Sequence, residues 1–130
     1  MAALRGVVIG QTVDKGLGLF ATRAMQRGTR ILIEPPLFRK GRDFKESLLA
    51  LSPTQRAIFD QLYSNQQKGG SKYISIYELN SWPCPDLGEP VVFALTARIN
   101  HSCLPNAVQF YNHILGKNTV QLLVCFSKPP

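Results

Sequence analysis

The sequence contains, behind a mostly apolar stretch, the polar string Arg98-Ile99-Asn100-His101-Ser102-Cys103-Leu104-Pro105-Asn106. Residues typical of a β-strand follow from Asn106 onwards. Polar groups between two buried segments need hydrogen-bond partners. Asn and His side chains offer both donors and acceptors, so they are suited to hold the amino-acid end of a zwitterionic ligand. A turn stabilised by an Asn or Ser side chain is the alternative interpretation.

A second motif, Lys15-Gly16-Leu17-Gly18-Leu19-Phe20, lies some eighty residues earlier. Glycine has no Cβ, so the backbone here can turn sharply and approach a ligand closely. The motif lacks the third glycine and the strand-to-helix context of a dinucleotide-binding fingerprint. Taken by itself, it is better interpreted as a simple β-turn.

The two motifs together resemble the signature of the SET domain family. The members of this family are protein lysine methyltransferases that depend on S-adenosylmethionine. The segment from Arg27 to Glu34 resembles the family's pattern of a glycine, a strand and Glu-Pro. The likeness covers about residues 10–38 and 74–127, and it is greatest to fungal SET proteins allied to the SET-and-MYND group. The resemblance implies an α+β fold that is mainly β, in which small curved sheets carry a helical insert.

Local patterns predict the individual elements. Glycine-bounded apolar runs predict strands over residues 6–9, 17–21 and 29–34, with Pro35-Pro36 ending the third. Alternating apolar residues on either side of residues 112–118 predict a β-hairpin. Helices are predicted over about 44–51 and 53–64, with Asp43 and Ser52 as N-caps. A further buried helix is predicted over 87–99, and an exposed loop over 65–72. The second helix is expected to pack on the sheet through the following residues: Ile58, Phe59, Leu62 and Tyr63.

One partial SET domain is expected over residues 1–130. Its parts are N-terminal strands at 10–38, a helical insert and loop at 39–73, and a core with the Asn-His-Ser-Cys motif at 74–127. Family members continue into a Gly-Glu-Glu segment and a tyrosine beside the methyl-transfer channel, whereas this sequence ends at Lys128-Pro129-Pro130. The C-terminal part is therefore expected to be missing and activity to be weak or absent, because methyl transfer needs an aligned amine in a dry channel. Neither Tyr77 nor Tyr111 lies in a matching motif, so no catalytic residue is assigned.

The resemblance also implies a set of cofactor-binding residues. Those from the glycine motif, placed at the methionine and ribose end of S-adenosylmethionine, are Lys15, Gly16, Leu17 and Gly18. Asn100 and His101 are expected to contact the amino group and adenine. Asn80, in Leu79-Asn80-Ser81-Trp82, resembles a further asparagine that contacts the cofactor.

The cysteines indicate which metal site and which cellular compartment to expect. Cys103 resembles a zinc ligand of the family, but Cys84 and Cys125 do not have the spacing of the remaining ligands, so no metal is expected. Three cysteines without a CxxC pair favour a reducing compartment. There is neither an apolar run of about 18 residues nor a signal peptide, so an intracellular protein of nucleus or cytoplasm, without membrane contact, is predicted.

The net charge of +7 is concentrated in residues 1–45, which hold nine Lys or Arg and three acidic residues. The densest cluster contains Arg39, Lys40, Arg42 and Lys45. Such a surface is compatible with acidic partners such as nucleosomal DNA or RNA, but a solvated basic face is the more common case, and this cluster lacks the interleaved aromatic residues of a stacking platform.

The leading functional hypothesis is a protein lysine methyltransferase module that uses S-adenosylmethionine and accepts a lysine of a histone or another protein. Two alternatives stay open at this point. One is a non-catalytic, SET-derived domain that binds chromatin or protein. The other is an inactive gene fragment that does not fold alone.

Overall fold

A computed structural model describes residues 3–65, 70–100, 102 and 104–126, with the side chains of residues 70 and 71 not included. The chain divides into two compact units. The first consists of Met1–Pro35 and Arg98–Pro130, and the second of Pro36–Ala97.

The described elements in chain order are β1 (Ala3–Leu4), β2 (Val7–Gln11), β3 (Leu17–Ala21), β4 (Arg30–Glu34), β5 (Phe38–Arg39), α1 (Phe44–Leu49), α2 (Pro53–Asp60), α3 (Gly70–Asn80), β6 (Ser81–Trp82), β7 (Val91–Val92), β8 (Ala107–Asn112) and β9 (Lys117–Leu122). Single turns of 3₁₀-helix cover Pro85–Leu87 and Thr96–Arg98. The predicted α+β class, with small antiparallel sheets and a few helices, is confirmed.

The first unit is built from two antiparallel sheets. One has the strand order β1-β4-β9-β8, and the other is the hairpin of β2 and β3. Leu32 of β4 pairs with Val120 of β9, and both side chains are buried. Because side chains alternate across a strand, this pairing fixes which face of the sheet is apolar. The three predicted N-terminal strands are present as β2, β3 and β4, although β2 extends to Gln11, and β4 ends directly before Pro35-Pro36. The short strand β1 was not predicted.

The predicted hairpin after Asn106 is also confirmed, as β8 and β9. Its turn is held by the Asn112 side chain, whose Oδ1 accepts hydrogen bonds from the backbone N–H groups of Ile114 and Leu115 at 3.0 and 3.1 Å. Gly116 closes the turn with φ +66°, a conformation that residues with a Cβ rarely adopt.

Both predicted N-caps are present in the second unit. The Asp43 carboxylate accepts from the Glu46 N–H at the start of α1. Ser52 and Gln55 form a reciprocal capping box at α2, which begins with Pro53. These contacts satisfy backbone donors that have no partner inside a helix, which explains why the starts were predictable. Both helices end earlier than predicted, at Leu49 and Asp60.

Aromatic side chains form the core of the second unit. Phe38 of β5 lies 5.0 Å from Phe59 of α2 and 5.7 Å from Tyr77 of α3, measured between ring centroids. Phe59 and Leu62 are buried, but the expected partners Ile58 and Tyr63 are exposed, so half of the predicted helical face is wrong. Tyr63 lies beyond the end of α2 at Asp60, where the helical periodicity no longer applies, whereas Ile58 lies within α2 but directly precedes the buried Phe59 and therefore faces a different side of the helix.

Two further predictions in the second unit are wrong. Residues 87–99 form no α-helix: Val91 and Val92 are β7, the central strand between β5 and β6, and only Thr96–Arg98 is helical. A strand buried on both faces is a continuous apolar run, which cannot be distinguished from a buried helix by periodicity. The predicted loop over 65–72 overlaps the start of α3 at Gly70, and residues 66–69 lie outside the described part.

No helix in the described part of the chain is both long enough and apolar enough to cross a lipid bilayer. The same residues contain no group of three or more His, Cys, Asp or Glu that could hold a metal ion, and Cys103 lies outside them.

Candidate functional site

The glycine motif lies on a tight turn between β2 and β3. Thr12 holds this turn with three hydrogen bonds: its N–H and its Oγ1 both donate to the Gly16 carbonyl at 2.7 Å, and its Oγ1 accepts from the Lys15 N–H at 2.8 Å. Gly16 has φ +69°, in the left-handed region that favours glycine. The first glycine of the motif therefore lets the chain reverse direction.

The second glycine, Gly18, has a different role, which is to leave space. It pairs with Gly10 across the hairpin. A Cβ on Gly18 would lie 2.9 Å from the Thr12 Cγ2 methyl and 3.0 Å from the Asn100 Nδ2, while a Cβ on Gly10 would lie 3.0 Å from the ring of Phe20. Both distances at Gly18 are shorter than ordinary van der Waals contact. The absence of side chains at this pair makes room for an amide and an aromatic ring.

Asn100 joins the two sequence motifs. Its Nδ2 donates to the backbone carbonyl of Leu17 at 3.2 Å, across 83 residues of sequence. The Leu17 carbonyl belongs to the strand that carries Gly18, so the amide lies directly against the glycine motif. The prediction that these distant segments act together is supported by this contact.

A cavity of about 210 Å³ lies beside this contact, within the first unit. Its polar groups come mainly from Thr12, Asn100 and Asn106. Its apolar lining is formed by strand residues and by Phe126, and includes Val7, Leu19, Phe20, Ala21, Ile31 and Leu122. Ligand sites usually measure roughly 300–1,000 Å³. The cavity thus has the mixed lining of a ligand site and a volume that accommodates part of a cofactor-sized molecule.

The described residues that line this cavity include no acid, base or cysteine. None of their side chains can therefore transfer a proton at neutral pH, and they are suited to hold and orient a ligand through neutral hydrogen bonds. The bond from the Asn100 Nδ2 to the Leu17 carbonyl fixes the orientation of this amide beside the cavity.

The residues predicted to bind the cofactor separate into three groups. Gly18 and Asn100 line the cavity, whereas Lys15 and Gly16 are exposed on the turn, and Leu17 is exposed at the start of β3, where its carbonyl accepts from Asn100. Asn80 belongs to the second unit, where it is buried and its Nδ2 donates to the carbonyls of Tyr63 and Ile76 at 2.8 and 2.7 Å. His101 lies outside the described residues. Binding of a cofactor by any of them stays a prediction.

Other cavity residues were not identified from the sequence. Thr12 carried a usable signal, because a threonine four residues before a turn glycine is typical of a side-chain-stabilised turn. Phe126 carried none: it reaches the cavity through a β-bridge with Met25, in which each N–H donates to the other residue's carbonyl at 3.1 and 2.8 Å. Such long-range pairing depends on the tertiary fold.

The residues are consistent with S-adenosylmethionine, whose amino-acid and nucleoside parts need hydrogen bonds and whose adenine needs apolar surface. Asn100 and Asn106 provide amide donors and acceptors, and the rings of Phe20 and Phe126 provide apolar area. Because Gly18 has no side chain, a ligand can approach its backbone closely, and a side chain at this position would prevent that approach.

Comparison of the sequence with known proteins identifies its family. The chain is 31% identical over 110 residues to a protein of Schizosaccharomyces pombe called histone-lysine N-methyltransferase set5, and the alignment covers 82% of this chain and 34% of that relative. The chain thus spans about a third of the length of the relative it matches. The SET domain family matches residues 16–128, which include the glycine motif and the Asn100 segment. From these matches and from the contact between the two motifs, the chain belongs to the SET domain family.

Proposed function

We propose that this chain is the cofactor-binding SET domain of a protein lysine N-methyltransferase that uses S-adenosylmethionine. The single observation that carries the proposal is the hydrogen bond from Asn100 to the Leu17 carbonyl, beside a cavity at the glycine motif. The name of the fungal relative supports the same class of reaction.

Each part of the site has a stated task in this proposal. Asn100 and the backbone at Gly18 hold the cofactor, with His101 as the neighbouring contact, and Thr12 keeps the turn in the conformation that presents Gly18. When bound, S-adenosylmethionine supplies a methyl group on a positively charged sulfur. The apolar residues Phe20, Ile31 and Phe126 line the cavity, and neutral hydrogen bonds are stronger beside apolar walls than in bulk water.

The proposed acceptor is the uncharged ε-amine of a protein lysine, because only an amine with a free electron pair can attack a methyl group. Histones are the first substrates to test, as the relative is a histone-lysine methyltransferase. Because the attacking amine must be uncharged, activity is expected to rise with pH toward the pKa of lysine, about 10.4.

Calorimetric titration of the chain with S-adenosylmethionine tests the proposal without relying on turnover. Asn100→Ala should weaken binding about tenfold or more, since a hydrogen bond to a ligand with a charged group contributes on the order of 1.5–3 kcal/mol. Asn100→Asp keeps the shape but replaces the donor to Leu17 by an oxygen, so it should weaken binding similarly. Gln26→Ala removes an amide outside the cavity and should bind normally. No binding by the wild-type chain would sink the proposal.

Asn80→Ala separates a cofactor role from a structural one. The buried amide bonds two carbonyls within the second unit, so its removal should lower the free energy of unfolding by about 1–3 kcal/mol. A role in binding would add a loss of affinity for S-adenosylmethionine, measured by calorimetry at a temperature where the variant is fully folded.

A non-catalytic interaction domain is the second candidate function, favoured by the positive charge of the first unit. A methyltransferase assay with mixed histones and labelled cofactor distinguishes the two. Turnover that is lost in Asn100→Ala would exclude the interaction-only alternative. A cooperative thermal melt of the 130-residue chain would exclude the third alternative, a fragment that does not fold.

A further inference from the structure

The positive charge of this protein belongs almost entirely to the first unit. Met1–Pro35 and Arg98–Pro130 contain eight Lys or Arg and two acidic residues, whereas Pro36–Ala97 contains seven and six. One of the two acidic residues, Glu34, is buried, so Asp14 is the exposed acid of this unit. Its surface therefore presents a positive field with almost no internal compensation.

Four arginines of this unit lie close together, on two neighbouring segments of backbone. The Arg5 N–H donates to the Ile31 carbonyl at 2.9 Å, which places Arg5 beside Arg30. The Arg23 side chain packs against Gly6, where a Cβ would lie 2.8 Å from its Nε, and the Thr22 N–H donates to the Gly6 carbonyl. Arg5 and Arg23 are thus adjacent although 18 residues separate them.

The fourth arginine, Arg27, lies at the tip of a turn. The Thr29 N–H and Oγ1 both donate to the Gln26 carbonyl, and Gly28 has φ +85°, which makes Arg27 and Gly28 the central residues of that turn. Arg27 is exposed there. The group formed by Arg5, Arg23, Arg27 and Arg30 is called the arginine patch below.

Arg5, Arg23 and Arg27 of the arginine patch are exposed, and Arg30 is half-buried. Both ion pairs found among residues 3–65, 70–100, 102 and 104–126 belong to the second unit, as Arg39–Glu89 and Arg56–Asp60. Arg39 belongs to the cluster at residues 39–45, where Lys and Arg are densest in the sequence. That cluster is partly neutralised by Glu89, and the less dense arginines of the first unit are not.

We propose that the arginine patch binds the phosphate backbone of nucleic acid without reading its sequence. Arginine presents a planar fork of donors that fits phosphate oxygens bidentately. The described residues 22–30 expose no large apolar side chain, and Met25 is buried. A protein partner would need an apolar contact area at the centre of its interface, whereas phosphate contacts need only cations.

Salt dependence gives the proposal a measurable size. Four phosphate contacts predict a slope of about −3.6 in log affinity against log salt, so lowering the salt fourfold should raise affinity about 150-fold. The triple variant Arg5→Gln, Arg23→Gln, Arg27→Gln retains one contact of the arginine patch. Its affinity should rise only about 3.5-fold over the same change.

The test is fluorescence anisotropy with a labelled 24-base-pair DNA duplex and the matching RNA duplex, at 25 and 100 mM salt, without S-adenosylmethionine. The matched control is Lys40→Gln, Arg42→Gln, Lys45→Gln, which removes three exposed charges from the second unit and should keep the wild-type slope. Binding of either duplex with the predicted slopes supports the proposal, and the two arms show whether DNA or RNA is preferred.

Three results would overturn it: an unchanged slope in the triple variant, an equal loss in the control, or displacement of the duplex by poly-glutamate as readily as by unlabelled duplex, which would indicate an acidic protein partner. If the triple variant does not fold, the single variants Arg5→Gln, Arg23→Gln and Arg27→Gln should each reduce the slope by about 0.9. No cofactor is present in the assay, so failure here leaves the proposed methyltransferase function unaffected.

Discussion

Replacing Gly18 by alanine should destabilise the first unit, although the substituted methyl group is small. The new Cβ would lie 2.9 Å from the Thr12 Cγ2 and 3.0 Å from the Asn100 Nδ2. Thr12 cannot rotate away without losing the bonds that its Oγ1 makes to Gly16 and Lys15. Asn100 can move only by lengthening its bond to the Leu17 carbonyl, already 3.2 Å.

The magnitude follows from opposing effects. An extra methyl in a tightly packed place costs about 1–3 kcal/mol, and loss of one hydrogen bond about 0.5–1.5 kcal/mol. Alanine also restricts the unfolded chain, which offsets about 0.4–1 kcal/mol. A net decrease of about 2 kcal/mol in the free energy of unfolding is expected, together with weaker binding of S-adenosylmethionine if Asn100 holds it.

Urea denaturation followed by circular dichroism measures this change. Adding Thr12→Ser to Gly18→Ala removes the Cγ2 methyl but keeps the hydroxyl, so it should recover a measurable part of the loss. Gly16→Ala is the matched control: its Cβ would meet no atom within 4 Å, and its cost of about 1–2 kcal/mol comes from φ +69° alone. Thr12→Ser should not rescue it. A Gly18→Ala variant within about 0.5 kcal/mol of wild type would refute the reasoning.

Three other outcomes are expected in the second unit. Burial raises the pKa of the Tyr77 hydroxyl, which donates to the Pro90 carbonyl at 2.8 Å. The stability that the neutral hydroxyl contributes is complete below the unfolded pKa of about 10 and is lost as pH rises through the higher folded pKa. Tyr77→Phe should remove this loss of stability at alkaline pH and should cost about 1 kcal/mol at neutral pH, measured by urea titration. Ser52→Ala should cost about 1 kcal/mol by the same measurement, while Ser52→Asp keeps the cap of α2; equal stability of the two variants would contradict the capping argument. Burial also raises the pKa of the Cys84 thiol, so iodoacetamide at pH 8 should modify the exposed Cys125 faster than Cys84. Mass spectrometry of the modified peptides measures the two rates, and the difference between them should vanish in urea.

Local patterns were sufficient for elements whose causes are local. The caps at Asp43 and Ser52 and the glycine turns were predictable, because each depends on neighbouring side chains and on backbone freedom at one position. The β8–β9 hairpin was predictable for the same reason. The same patterns failed for Val91 and Val92, since an apolar run buried on both faces has no period that distinguishes strand from helix.

The functional site shows the same division. The sequence by itself determined the membership in the SET domain family, because the two motifs occur together. Only the tertiary structure showed that the Asn100 side chain bonds the Leu17 carbonyl. Only the tertiary structure decided that Phe126 and Thr12 complete the cavity. It also decided that Arg39, in the denser stretch 39–45, is paired with Glu89, whereas neither ion pair among the described residues involves Arg5 or Arg23. Charge density along a chain does not report which cations find acidic partners, since that depends on contacts between residues far apart in sequence.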